Sequence, residues 1–132
     1  MEIKHRKYLV FLTLTILYAA MIFVLSSYSQ PPGAEEGRAA IPYFSYLAHI
    51  GLYFGLAFFV YHTLDNYPDE LSVNIYFLTF VITVLYGISD EIHQYFVPYR
   101  HFLVIDIFFD AVGGGILVLF MYYRRKYGSK LF

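Results

Sequence analysis

Four stretches of this chain run for about twenty residues with few or no charges, and a hydrocarbon core about 30 Å thick requires about that many apolar residues in each crossing helix. They cover residues 8–28, 41–64, 71–96 and 102–123. The chain has 132 residues, of which 59% are hydrophobic and 14% charged. A soluble domain carries about a quarter of its residues as charges, and one of this size has a single modest core. So much apolar surface has to face lipid. The expected fold class is all-α: a polytopic membrane protein whose four transmembrane helices form a compact bundle, with residues 1–132 as one domain and no stretch left over for a second.

The breaks between the runs are chemically distinct. The first run follows the basic cluster Lys4, His5, Arg6 and Lys7 and stops at Ser29-Gln30-Pro31-Pro32-Gly33, a strong helix breaker. It is longer than the apolar core of a cleaved signal peptide and lacks a clear small-x-small cleavage site, so it is expected to be retained. The second run ends at Asp65-Asn66-Tyr67-Pro68-Asp69-Glu70. Seven of the nine Lys and Arg residues flank the two ends of the chain (Lys4, Arg6, Lys7, Arg124, Arg125, Lys126, Lys130), against Arg38 and Arg100 in the first and third loops. By the positive-inside rule this predicts that both termini are cytoplasmic.

Composition narrows the chemistry further. There is no cysteine, which removes disulfides, thiol catalysis and thiolate metal sites. The net charge of −1 gives no basic excess for nucleic acid, and no nucleic-acid partner is expected. Trp is absent, leaving the 15 tyrosines to supply the aromatic belts at the membrane interfaces.

With that topology, a rise of 1.5 Å per residue gives each embedded polar residue a depth. His49 and Tyr53 fall in the outer half of the second helix, and Asp90, Glu91, His93 and Gln94 at the outer end of the third. Asp106 and Asp110 lie roughly 6 and 12 Å below the outer mouth on the fourth. Ser26 and Ser27 end the first helix at the same level, with Arg100 in the loop above. Only His62, near the inner end of the second helix, lies outside this one outer-leaflet layer. The spacings agree with the depths, because Asp90/His93, Asp90/Gln94, Asp106/Asp110 and His49/Tyr53 each stand three or four apart and share a helix face. Below Asp110, Gly113-Gly114-Gly115 permits close approach of a neighbouring helix, and Pro98 predicts a tight turn that returns Arg100 over the layer.

Charges inside a bilayer cost on the order of 2.5 to 3.5 kcal/mol each, and are usually paired, in a cavity, or functional. Each has a plainer alternative. Asp90 and Glu91 could simply mark a helix end in the headgroup layer. Asp106 and Asp110 could lock helix packing through a hydrogen bond or an ion pair with Arg100. His49 could be a satisfied packing histidine, and Ser26 and Ser27 could bond back to their own helix.

The run Ser89-Asp90-Glu91-Ile92-His93-Gln94-Tyr95-Phe96-Val97-Pro98-Tyr99-Arg100, then Asp106 and Asp110 with the glycine run, closely resembles the signature of the VanZ-like membrane proteins. Leu25-Ser26-Ser27, and His49 with Tyr53, extend the resemblance over essentially the whole chain. That family commonly places Lys three residues before the helix-two His and Gly before the loop Arg, where this chain has Tyr46 and Tyr99. Losing the Lys leaves Arg100 as the cation for any anion-binding role. The resemblance implies a bacterial envelope protein of the inner membrane and, from the members that give the family its name, an effect on susceptibility to glycopeptide antibiotics, teicoplanin in particular.

Three functions fit these residues. In the first, an outer-leaflet site binds or remodels a lipid or envelope-precursor headgroup, with Arg100 on phosphate and Asp or His groups, His49, Tyr53, Gln94, Ser26 and Ser27 among their neighbours, on sugar or amine. In the second, the site is an enzyme in which His93 serves as general base beside Asp90, Glu91, Asp106 or Asp110, or in which Asp90, His93, His49, Asp106 and Asp110 hold a divalent metal. The spacing permits a metal without requiring one, so no metal or other cofactor is assigned. In the third, the acids and histidines form a proton or solute pathway, which the apolar inner half disfavours. Oligomeric state and the identity of the ligand do not follow from the residues.

Overall fold

A computed structural model describes residues 2–29 and 44–128. The Gln30-to-Gly33 breaker, Arg38, the expected helix start at Ile41, and Lys130 lie outside the described residues. Four helices account for nearly all of the rest: α1 (Glu2–Ser26), α2 (Phe44–Asp65), α3 (Ile75–Tyr95) and α4 (Val104–Tyr127). No strand occurs among the described residues. Each helix is long and apolar enough to cross a membrane, as the sequence predicts.

The helix ends differ from expectation for identifiable reasons. α1 starts six residues earlier, because its basic cluster can lie along a helical end with the charged heads held in the polar layer. Asn74 delays the start of α3 to Ile75, its side chain accepting from the N–H groups of Tyr76 at 2.9 Å and Phe77 at 3.4 Å. α4 continues four residues past Tyr123, and Arg124, Arg125 and Lys126 in its last turn complement the negative end of the helix dipole.

α2 is the hub of the bundle, packing against α4, α1 and α3, whereas α1 touches α3 only lightly. Thr15 on α1 and Thr63 on α2 share a hydrogen bond of 2.9 Å, and Arg125 of α4 reaches Asp65 of α2 at 3.4 Å. These contacts fix one end of the bundle, which carries the start of α1, the end of α4 and the α2–α3 connection. The opposite end carries the α3–α4 turn and, as described below, the polar layer.

Two apolar clusters fill the interior. Ile22, Tyr53, Leu56 and Val60 join α1 to α2, and Ala57, Tyr61, Leu117 and Met121 join α2 to α4. Much of the apolar surface points outward instead, including Ile16 and Leu17 on α1, Phe77 on α3 and Leu119 on α4. That outward surface is what lipid covers in a multi-pass membrane protein. Within the spans, Thr13, Thr63, Thr79 and Thr83 each donate to the carbonyl four residues earlier, so their hydroxyls are met inside their own helices.

Gly113 sets the distance between α2 and α4. A Cβ there would collide with the carbonyl oxygen of Ile50 and stand 3.0 Å from the Phe54 nitrogen, both backbone atoms of α2. The glycine run thus performs the close-approach role its sequence predicts, and it brings α4 near enough to α2 for the side chains one turn above to meet.

Candidate functional site

The α3–α4 connection is a tight turn in which the Val97 carbonyl accepts from the Arg100 N–H at 3.1 Å. Pro98 takes the first central position and Tyr99, with φ of 61°, the second. Proline followed by a positive φ has the form of a type II turn, whose second centre glycine usually occupies. The turn folds Arg100 back onto α3, where its Nη2 donates to Gln94 Oε1 at 2.6 Å and Gln94 Nε2 donates to Asp90 Oδ2 at 3.0 Å. The Gln94 amide therefore bridges guanidinium and carboxylate.

Glu91, one residue along α3, is fully buried. Its Oε2 accepts from the Leu103 N–H at 3.0 Å. Leu103 precedes α4 and has no side-chain cap of its own, so a carboxylate from α3 meets one of the orphan donors at the positive end of the α4 dipole. Asp106 and Asp110 follow one turn apart on α4, both buried. His49 of α2 lies between them, with Nδ1 at 2.8 Å from Asp110 Oδ1 and Nε2 at 3.7 Å from Asp106 Oδ2. Gly87 of α3 makes room for this contact, because a Cβ there would stand 2.8 Å from Asp110 Oδ2 and 3.2 Å from the Tyr53 ring.

Tyr53, one turn along α2 from His49, is buried, its ring nearly parallel to the imidazole at 6.4 Å. Ser26 and Ser27 both bond back to the Phe23 carbonyl, at 3.0 and 2.6 Å. Ser27 also meets His93 Nε2 at 2.9 Å, while the His93 ring stacks on Phe23 at 4.3 Å. His93 thus pairs with a hydroxyl, and the imidazole that has a carboxylate partner is His49. Tyr46 stacks on Phe109 at 4.5 Å. His62 lies near the opposite end against Phe11 and Phe58, away from this group.

A cavity of about 140 Å³ opens where α1, α2 and α3 converge, lined on its polar side by Ser26, Ser45, His49, Tyr53, Asp90, Gln94 and Arg100. That is room for several waters or a compact headgroup fragment. Five buried oxygens at this end make no hydrogen bond among the described residues: Tyr53 Oη, Asp90 Oδ1, Glu91 Oε1, Asp106 Oδ1 and Asp110 Oδ2. Each such atom costs about 1 to 3 kcal/mol when left unmet, so a hydrogen-bond donor or cation placed at any of them would lower the free energy of this end. Sequence reasoning passed over Ser45, although it stands one turn before His49 on the same helix face, and the Leu103 backbone N–H, which no side-chain pattern can reveal.

No curated protein and no solved structure matches the chain. The family signature does match, over residues 5–125, a span that takes in α2, α3, all but the outermost residues of α1 and α4, and every residue of the polar layer. By that match the chain belongs to the VanZ/LLP1 family.

Proposed function

We propose that this protein, a single domain over residues 1–132, sits in the inner membrane of a prokaryote with both termini in the cytoplasm and uses its polar end, in the outer leaflet, to bind or remodel the headgroup of a lipid or envelope precursor. The observation that carries this reading is the cavity itself: a guanidinium at its edge, Asp90 and His49 in its wall, and unmet oxygens of Tyr53 and Asp90 beside them. Arg100 is the group for a phosphate, since its planar fork matches phosphate oxygens and Gln94 holds it in place. Tyr53, Asp90, Ser26 and Ser45 suit the hydroxyls or amine of the same headgroup. Glu91, Asp106 and Asp110 act from behind, holding His49 and the start of α4. Ser27 and His93 brace the α1 side. A protein that sequesters or alters an envelope precursor changes how much target a glycopeptide such as teicoplanin can reach, which connects the site to antibiotic susceptibility.

The test is the lipid content of the purified protein. Organic extracts of the wild type are expected to hold a phosphate-bearing lipid enriched over the bulk membrane, and Arg100→Gln is expected to lose that enrichment. Equal lipid content in the two proteins contradicts the proposal.

The His49–Asp110 contact favours one second reading, because an imidazole oriented by a buried carboxylate is the arrangement a general base needs. Under it the headgroup is turned over, not merely held. Incubating the wild type with the enriched lipid then yields a new phosphate or headgroup species that His49→Gln fails to produce, and an unchanged lipid rules turnover out.

A further inference from the structure

His49, Glu91 and Asp106 come from three different helices, yet one ligand-type atom of each lies within 4.8 Å of the other two. Glu91 is fully buried and Asp106 is 6% exposed, and each has one carboxylate oxygen without a hydrogen-bond partner among the described residues. The second contact of His49 makes this group more than a cluster of acids. A carboxylate oxygen can only accept, so the 2.8 Å contact to Asp110 Oδ1 puts the proton of a neutral imidazole on Nδ1 and the lone pair on Nε2. That lone pair then faces Asp106 Oδ2 at 3.7 Å, too far for a hydrogen bond. Two ligand atoms bonded at about 2.0 to 2.2 Å to one tetrahedral ion stand about 3.3 to 3.6 Å apart, close to what is observed. A carboxylate behind the distal nitrogen of a metal-binding histidine is also the usual outer-shell arrangement, and Asp110 occupies that place.

Charge points the same way. Among the described residues, four carboxyl groups, Asp90, Glu91, Asp106 and Asp110, share this end with the guanidinium of Arg100 and the imidazoles of His49, His93 and His101, so that with neutral imidazoles acid is in excess beside a cavity we assign to an anionic headgroup. A bound dication reverses that local balance.

We propose that His49, Glu91 and Asp106 form a binding site for a divalent first-row transition ion, Mn²⁺ or Zn²⁺, with Asp110 orienting the histidine. One imidazole and two carboxylates suit such an ion better than Mg²⁺ or Ca²⁺, which take all-oxygen shells. The ion would lie behind the cavity wall, reached through His49, and would offset the carboxylates near the headgroup phosphate. That last role rests on the function proposed above; the site itself does not.

The test is titration of chelator-stripped, detergent-purified protein with Mn²⁺, read by electron paramagnetic resonance. One saturable site per chain is expected, with affinity reduced at least tenfold in Glu91→Gln and in Asp106→Asn, and by about 10- to 100-fold in Asp110→Asn. Asp65→Asn at the far end of the bundle leaves the titration unchanged. A rise in the wild-type unfolding temperature with Mn²⁺ gives a measure that needs no variant to fold. The absence of a saturable site, or a site indifferent to both Glu91→Gln and Asp106→Asn, overturns the proposal and leaves His49 as an imidazolium paired with two aspartates. Lipid analysis of the same samples separates the two ideas: ion without enriched lipid keeps the metal site and contradicts the headgroup function, and lipid without ion does the reverse.

Discussion

Tyr99 holds a left-handed backbone conformation that an L side chain adopts at a cost of roughly 1 to 2 kcal/mol. The cost is accepted at the turn that sets Arg100 over the cavity, and the position is one where glycine would be relaxed. Tyr99→Gly is therefore expected to raise stability by about 0.5 to 1 kcal/mol, net of the extra freedom glycine has in the unfolded chain, as a higher unfolding temperature in detergent. An unchanged or lower temperature would mean that the Tyr99 side chain contributes more than its backbone costs. The sequence shows the turn through Pro98, and the resemblance marks glycine as the ordinary residue before the loop arginine, so the strain is half legible there. Pairings are less legible. Spacing places Asp90, His93 and Gln94 on one face of α3, yet it cannot show that His93 turns to Ser27 of α1 while Gln94 turns to Arg100. A helix face is wide enough to serve two neighbours, and which side chain goes to which depends on packing across helices.

At the level of elements, the glycine run separates two roles that composition alone merges. Gly113 abuts the α2 backbone, whereas a Cβ on Gly115 would meet only the Phe80 ring, at an ordinary 3.7 Å. Gly113→Ala must push α2 and α4 apart and is expected to cost about 1 to 3 kcal/mol. Gly115→Ala is expected to be neutral or to stabilise by up to about 1 kcal/mol, since alanine is the better helix former. Thermal unfolding of the two variants side by side checks the pair, and equal effects would contradict the packing described. The existence and order of the four helices are read directly from apolar run length, because a lipid-crossing helix can be little shorter than the hydrocarbon it crosses. Their ends are less legible, because the polar residues there serve equally well as a last helical turn or as a loop. Lys4 to Lys7 and Arg124 to Lys126 prove to be helix, while Leu71 to Asn74 precede one.

For the whole molecule, the gathering of the polar residues at one end of the bundle was legible because four antiparallel spans leave few places for eleven helix and loop positions to coincide. Its internal wiring was not, since His49 to Asp110 and Glu91 to Leu103 join residues 61 and 12 positions apart. Orientation rests on the basic flanks, and it predicts that single cysteines placed at Lys4 and at Lys126 resist a membrane-impermeant thiol reagent in intact cells, whereas one at Tyr99 reacts. The opposite pattern would put the polar end in the cytoplasm and remove the outer-leaflet ligand. The central claim is that this end is a binding site and not only a lock between helices, and native mass spectrometry of the intact, detergent-purified protein tests it most directly. The wild type is expected to carry a lipid-sized adduct bearing phosphate that is absent from Arg100→Gln, and a bare wild-type protein, or an adduct that Arg100→Gln retains, would contradict the account.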